Sequence, residues 1–516
     1  MIQHPLLPLI SVYVIATISY LMIQMTMAVA NWVMQKWQEP HQMALVDNLL
    51  AKGRFPRISI IYPIYNEDPD VLQRVMEYAV GCLEIPGLEV IFVDDGSPNL
   101  AECEPIYQYF EERDNTGRLR ILRESVNRGK REALNRGFEV ANGEYIITAD
   151  SDTLIEAEQV LNLVAPIIAD ERLGAVTGDV RVENFNDTWL THLIALRYWV
   201  SFHVERGAQS FSGSMMVCSG PFTVYRADLI HRVRHDFVSQ TFLGQPCTYG
   251  DDRHLTWLIL KQGYLTRIQE GAVARTMAPR TIPEYVPQQI RWTKSFIREF
   301  LWVIRDYNRV SIFSLLDTLY QPIISFCFMF ALSNVVFMTI ESFNPLVLIG
   351  EIFILLFMAS LRGIYGFLRT GWTEFIRFPL YGVLHVSIIL PLRWKALFGL
   401  RDTSWGTRKT KKKQNEFVNF LYWMTFFFST ICVLGLGVSL IVSIDTTFKI
   451  EELGLNNIVQ VISNLITSTL YWWERAGIVA LILSPIFLAL GIRRQGLFTF
   501  IDKRLAQLRY SPIHWL

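Results

Sequence analysis

The sequence predicts an α/β domain built on a mostly parallel sheet, fused to an α-helical transmembrane domain with interfacial amphipathic helices. Three observations predict it. Apolar strand-like runs alternate with helical segments from residue 57 to about residue 278, the pattern of a parallel sheet covered by helices. No Asp, Glu, Lys or Arg occurs from Met1 to Gln35, and long uncharged stretches return after residue 317. Between these apolar regions, short polar motifs follow the strand-like runs, where α/β sheets place their ligand-binding loops.

Taken in order, residues 8–30 supply the roughly 20 apolar positions that a membrane-crossing helix needs. Ala28-Val29-Ala30 resembles a signal-peptide cleavage site, but the preceding region has no basic residue and the apolar run is too long. The segment therefore reads as a retained helix. Expected strands are 58–62, 89–93, 118–122, 145–148 and 175–182, with helices between them such as 69–79 and 130–140. Residues 284–306 mix aromatic and basic side chains at helical spacing, as an interfacial helix would.

Residues 318–340 are uncharged and read as a span. A second span, 344–361, is interrupted by Glu351, either a functional group or one at a helix interface. Spans 417–444 and 476–492 follow, while the polar content of 454–473 favours an external amphipathic helix. Residues 378–392 are short, contain Pro379 and Pro391, and have basic stretches on both sides. If both flanks lie inside, the segment is re-entrant or interfacial. Five crossings then put the amino terminus outside and the catalytic domain in the cytosol. The expected organisation is 1–40, amino-terminal helix; 41–280, α/β domain; 281–312, interfacial helices; 313–400, membrane helices; 401–416, a loop; 417–516, carboxy-terminal helices and basic tail.

The 516 residues carry zero net charge, which gives no electrostatic footprint for nucleic acid. Six scattered cysteines form no C-x-x-C pair, against a zinc site or a disulfide framework. That usage suits a domain facing a reducing cytosol.

The motifs carry the chemistry. Asp150-Ser151-Asp152 ends a strand-like run, and carboxylates at i and i+2 there can hold a hard cation whose shell diphosphate oxygens complete. In isolation that tripeptide is more often a solvated acidic turn. Its place after Tyr65-Asn66-Glu67 and Asp94-Asp95-Gly96-Ser97 favours the cation site. The Asp94-Asp95 loop can accept base and ribose hydrogen bonds at the sheet edge. Gly250-Asp251-Asp252-Arg253 offers a carboxylate as general base, or as a helix cap. Gln288-Gln289-Ile290-Arg291-Trp292 sets an amide, a guanidinium and an indole on one helix. The guanidinium can pair with diphosphate and the indole can stack on a sugar, or the segment can contact lipid headgroups.

This set resembles the processive family 2 glycosyltransferases. Longer stretches narrow the resemblance to hyaluronan synthases: Gly178-Asp179-Val180-Arg181, Leu196-Arg197-Tyr198-Trp199-Val200, Val204-Glu205-Arg206, Ser219-Gly220-Pro221 with Tyr225-Arg226, 250–256, QQIRWTKSFIR at 288–298 and Ser404-Trp405-Gly406-Thr407-Arg408. The resemblance implies a GT-A fold with a membrane channel, in an integral plasma-membrane protein. It implies Mg2+ or Mn2+ held by Asp152, with Asp150 beside it, on the UDP diphosphate. It places Tyr65, Asn66, Glu67, Asp94 and Asp95 at the uridine, and Lys130 or Arg131, with Gln288, near the donor. Asp252, with Asp251, would be the base of an inverting β-transfer. Arg291 would contact the diphosphate and Trp292 would floor the acceptor site. Cys218, Ser219, Gly220 and Pro221 would line that site. Trp405, Gly406, Thr407 and Arg408 would form a loop closing over UDP.

Two departures stand out: one amino-terminal helix where many relatives have two, and Arg408 directly after Thr407. The expected activity alternates GlcNAc and GlcA from UDP-GlcNAc and UDP-GlcA. The growing polysaccharide is exported among membrane lipid, with no nucleic acid and no obligate protein partner. The alternatives are a chitin-type synthase using UDP-GlcNAc alone, transfer of one sugar to a lipid phosphate, and an inactive export scaffold.

Overall fold

A computed structural model describes residues 7–324 and 345–401 of the chain. Helix α1 (Leu7–Ala51) leads into an α/β unit. That unit runs β1 (Ile58–Ile64), α2 (Pro69–Gly81), β2 (Leu88–Asp94), α3 (Leu100–Arg113), β3 (Leu119–Arg123), α4 (Lys130–Val140), β4 (Tyr145–Thr148), α5 (Ala157–Ala169) and β5 (Leu173–Val182). It continues through α6 (Trp189–Val200), a π-helical turn (Ser201–Arg206), α7 (Gly207–Phe211), β6 (Thr223–Arg226) and α8 (Ala227–Val238). After a small hairpin of β7 (Thr241–Phe242) and β8 (Gln245–Pro246) come α9 (Asp251–Lys261) and β9 (Leu265–Thr276).

The seven-stranded sheet has the order β3-β2-β1-β4-β6-β5-β9. All pairings are parallel except those of β6, which runs antiparallel to β4 and β5. Every residue of β1 and β2 is buried, as strands covered by helices on both faces require. The five strands expected from sequence are β1–β5, each within two residues of its expected ends. Strands β6 and β9 were not expected. β6 has four residues, and β9 buries Thr266, Arg267, Gln269 and Glu270, whose polarity hides the strand.

Capping explains where helices start. Asp68 accepts from the Asp70 amide ahead of Pro69 in α2, and Thr188 forms a reciprocal cap with Thr191 at α6. The expected amphipathic segment is α10 (Ile282–Arg305), which buries Tyr285, Val286, Ser295, Arg298, Glu299 and Val303. Helix α11 is described over Ile312–Ile324, followed by α12 (Pro345–Thr370), α13 (Phe378–Leu384) and α14 (Leu390–Phe398).

Residues 378–392 lie inside a helical run, Thr373–Leu397, of 25 residues, which contains an 18-residue stretch of mean hydropathy 1.6. Among the described residues this is the helix long and apolar enough to cross a membrane, by length and composition. One of its faces, with Phe375, Phe378, Tyr381 and Leu384, packs with Leu190, Leu193 and Ile194 of α6. Glu351 lies in α12. Most of 318–340, the segments 417–444, 454–473 and 476–492, and the loop residues Trp405, Gly406, Thr407 and Arg408 fall outside the described residues.

Candidate active site

Parallel register assembles the site. Ile64 of β1 lies beside Asp94 of β2, and Ile61 lies beside Thr148 of β4, so three polar loops leave the same sheet edge together. Asn66 adopts φ 50°, and its amide donates to Ser97 Oγ at 3.0 Å. Ser151 Oγ donates to Glu67 Oε2, joining the first loop to the third. Asp95 Oδ1 and Oδ2 accept from the Arg128 and Gly129 amides at 2.9 and 2.7 Å. Burial raises the Asp95 carboxyl above its ordinary range, against the pull of those amides.

The loop turns on Gly96, at φ 65°, where a Cβ would come within 2.7 Å of the Asn127 amide nitrogen. Gly96→Ala is expected to destabilise the fold by roughly 1–3 kcal/mol, read as a lower melting temperature with the three polar loops loosened.

Lys130 opens α4 and joins two motifs, its Nζ lying 2.5 Å from Asp150 Oδ1 and 3.3 Å from Asp251 Oδ2. Burial alone would push the ammonium down, but the carboxylates of Asp150 and Asp251 hold its pKa above the usual value. Asp152 Oδ1 accepts from Thr276 Oγ1 at 2.9 Å, tying the third loop to the end of β9. Gly250, at φ 74°, sits where a Cβ would overlap Ser295, and it starts α9 with Asp251 and Asp252.

The paired carboxyls are driven apart. Burial would raise Asp251, but Lys130 and Arg131 outweigh it and hold that carboxyl low. Burial raises Asp252, and Asp251 beside it adds to the rise. Such a split leaves one weakly basic and one more basic carboxyl side by side at the start of α9.

All of this borders one cavity of about 1650 Å3, lined by Tyr65, Asn66, Glu67, Asp95, Lys130, Asp150, Asp152, Ser219, Gly220, Pro221, Asp251, Asp252, Gln288, Arg291 and Trp292. Pockets for one small ligand run to about 1,000 Å3, so this one has room for more than one small ligand. The Trp292 ring is 43% exposed and lies 6.3 Å from Tyr198, which in turn lies 6.4 Å from Phe202. The same cavity is lined also by Thr318 and Gln321 of α11 and by Tyr381, His385 and Arg393.

Three expected site residues stand behind the wall instead. Asp94 is fully buried, with Oδ1 accepting from the Ser97 amide and Oδ2 from Tyr107 Oη, both at 2.8 Å. It shapes the loop. Arg131 donates to the Phe237 and Tyr249 carbonyls and to His254 Nδ1. Cys218 is fully buried, its thiol pushed up to about 12 by burial, which makes it inert. Conversely, Arg128, Arg206, Glu205, Arg253, Thr276 and Glu299 border the cavity without having been singled out for chemistry. Glu205 and Arg206 stood in a stretch noted only for its resemblance, and their π-helical turn leaves no sequence signature.

Comparison with known proteins gives this arrangement its family. The profile of Glycosyl transferase family 2 matches residues 59–234. A hyaluronan synthase of Streptococcus pyogenes is 33% identical over 354 residues, covering 68% of this chain and 83% of that one. The chain belongs to the hyaluronan-synthase-like family 2 glycosyltransferases. An N-acetylglucosaminyltransferase of Bradyrhizobium diazoefficiens, 30% identical over 387 residues, covers 74% of this chain and 77% of its own length. A solved mannosyltransferase of Pyrobaculum calidifontis, in complex with GDP-Man and Mn2+, overlaps 73% of this chain and 98% of its own at TM-score 0.43 and 19% identity. The mostly parallel sheet is the GT-A-type domain of the family.

Two carboxylates at the cavity wall are the candidates for a divalent cation. Among the described residues, no group of three or more His, Cys, Asp or Glu side chains is placed to hold a metal. Asp150 and Asp152 are two hard oxygen donors at the cavity wall, a set that suits an ion whose remaining ligands come from a bound diphosphate and water.

Proposed function

We propose that this family 2 glycosyltransferase is a processive membrane synthase. It builds hyaluronan by alternating inverting β-transfer of GlcNAc and GlcA from UDP-GlcNAc and UDP-GlcA, and it passes the chain out between its own helices. The observation that carries this reading is the reach of the cavity. It joins the donor loops, Asp252 and Trp292 to the walls of α11, α13 and α14. A polar polymer cannot enter hydrocarbon without a protein-lined path. The Thr373–Leu397 run is long and apolar enough to contribute to such a path.

In this reading the acceptor sugar stacks on Trp292 and its hydroxyl faces Asp252. Asp252 takes the hydroxyl proton as the oxygen attacks the anomeric carbon, and the bond from that carbon to UDP breaks on the opposite face. The configuration inverts and UDP leaves with the bonding pair. Lys130 and Arg291 oppose the charge growing on the diphosphate. Asp150 and Asp152 would hold Mg2+ or Mn2+, which when bound neutralises part of that leaving-group charge. Trp405, Gly406, Thr407 and Arg408 would close over bound UDP. The protein then lies in the plasma membrane with its catalytic domain in the cytosol and needs no obligate protein partner.

Because Asp252 must be ionised to accept a proton, and its folded pKa is raised, transfer falls as pH drops. The midpoint is expected above the usual carboxylate value of about 4. A pH–rate profile of UDP release checks this.

Similarity to an N-acetylglucosaminyltransferase favours a second reading, a chitin-type synthase that uses UDP-GlcNAc alone. Purified protein in lipid, given each donor singly and then both, separates the two. A hyaluronan-lyase-sensitive polymer that requires both donors supports the first reading. A chitinase-sensitive product from UDP-GlcNAc alone supports the second.

A further inference from the structure

One guanidinium on the cavity wall touches no carboxylate. Arg206 ends the π-helical turn and borders the cavity. Its Nη1 donates to Ser201 Oγ at 2.6 Å and its Nε to the Val217 carbonyl at 3.4 Å, while its Cζ lies 4.2 Å from the Phe202 ring centre. These contacts fix the plane of the group. A guanidinium has five N–H donors, so two are used and three remain, both of those on Nη2 among them. Among the described residues, no ion pair or further hydrogen bond takes them up. Glu205 and Asp252 are the carboxylates within electrostatic reach of Arg206, and neither pairs with it. Glu205 is turned to other cations, its Oε2 accepting from Arg197 Nη2 at 2.8 Å and its Oε1 lying 4.0 Å from Arg362 Nη1. A cation held out of bulk water without a partner is costly, and an anionic ligand removes that cost.

The surroundings of Arg206 say which anion. The Val217 carbonyl that it holds leads into Ser219-Gly220-Pro221 on the cavity wall. Phe202, beneath the guanidinium, lies 6.4 Å from Tyr198, the ring next to Trp292. Three residues further on, Gln209 donates to Asp317 of α11. Arg206 therefore sits with the aromatic rings and the helices, whereas Lys130 sits with Asp150 and Asp251 beside the polar loops. The wall around it is rich in cations, with Arg197, Arg206 and Arg393 against Glu205. A diphosphate at the polar loops does not answer this charge. A carboxylate on a bound sugar does, since it is planar and matches paired guanidinium N–H groups.

We propose that Arg206 is a specificity-determining residue: its guanidinium binds the carboxylate of a uronic acid unit in the polymer held by the cavity. This rests on the reading of that polymer as one that contains uronic acid. A chitin-type chain is neutral and offers Arg206 no counter-charge.

The test compares two forms of one probe on the full-length protein in lipid: a hyaluronan tetrasaccharide and its methyl ester, which keeps the sugars and loses the charge. The parent is expected to bind the acid at least about tenfold more tightly than the ester. Arg206→Gln should bring the two within about twofold of each other, by weakening the acid while the ester holds. Arg206→Lys, which keeps the charge without the planar fork, should fall between. UDP affinity, measured alongside, should stay within about threefold of the parent. A loss of UDP affinity that matches the loss of the acid puts Arg206 on the diphosphate and overturns the proposal. A parallel loss of acid and ester makes Arg206 a brace of the turn and overturns it too. So does a parent that binds both forms alike or binds no acid, or a preference undiminished in Arg206→Gln. Should Arg206→Gln fail to fold, Arg206→Lys decides, and a preference equal to the parent's overturns the claim. Donor dependence of the parent judges the hyaluronan reading separately. Product from UDP-GlcNAc alone sinks that reading, while the Arg206 claim still stands or falls on the preference for the acid.

Discussion

Asp252→Asn is expected to lower the turnover number for sugar transfer by roughly 10^3, with UDP binding within about threefold of the parent. The amide matches the carboxylate in shape and its oxygen still accepts from the Arg253 backbone amide, so α9 keeps its start. What disappears is the site for the proton. Asp251 cannot substitute, because Lys130 lies 3.3 Å from its Oδ2 and, with Arg131, holds it ionised and weakly basic. Melting temperature and UDP affinity report on folding and on the donor loops, while single-turnover transfer reports on the base. A variant that retains a tenth or more of parental transfer would remove Asp252 from the role. An inactive export scaffold predicts no change in any of these measurements, so the same variant also separates that class of function from an enzyme.

Apolar runs such as 58–62 and 89–93 announced β1 and β2 because both faces of those strands are covered, which demands near-continuous hydrophobicity, broken here by Ser59 and Glu89, which hydrogen-bond each other. The loops after them were legible for the same reason. Which member of an adjacent pair enters the cavity was not. Asp94 ends β2 and Asp95 follows it, and successive residues on an extended chain point to opposite sides. Asp95 borders the cavity, while Asp94 faces inward to Tyr107. Lys130 and Arg131 are neighbours on a helix, about 100° apart around its axis, so only Lys130 reaches Asp150. The pairing of Arg253 with Glu299, 46 residues apart, depends on how α9 and α10 pack. Local pattern carries nothing about that.

Asp152→Ala should lower kcat/KM by at least roughly 10^2 and weaken metal-dependent UDP binding, because it removes one of two carboxylates offered to a cation that offsets leaving-group charge. The structure also gives Asp152 a plainer task, since its Oδ1 accepts from Thr276 Oγ1 and so ties two loops together. Thr276→Val removes that bond and leaves the carboxylate in place. One hydrogen bond is worth about 1 kcal/mol of stability, a loss that shows in the melting temperature and leaves the kinetics of the folded protein almost intact. If Asp152 acts on the donor, Thr276→Val stays within about threefold of the parent while Asp152→Ala collapses, and chelation of the parent with EDTA reproduces the collapse until Mg2+ or Mn2+ is restored. If the two variants fall together and chelation changes nothing, Asp152 is a tether between loops, and the charge on the departing UDP rests on Lys130 and Arg291.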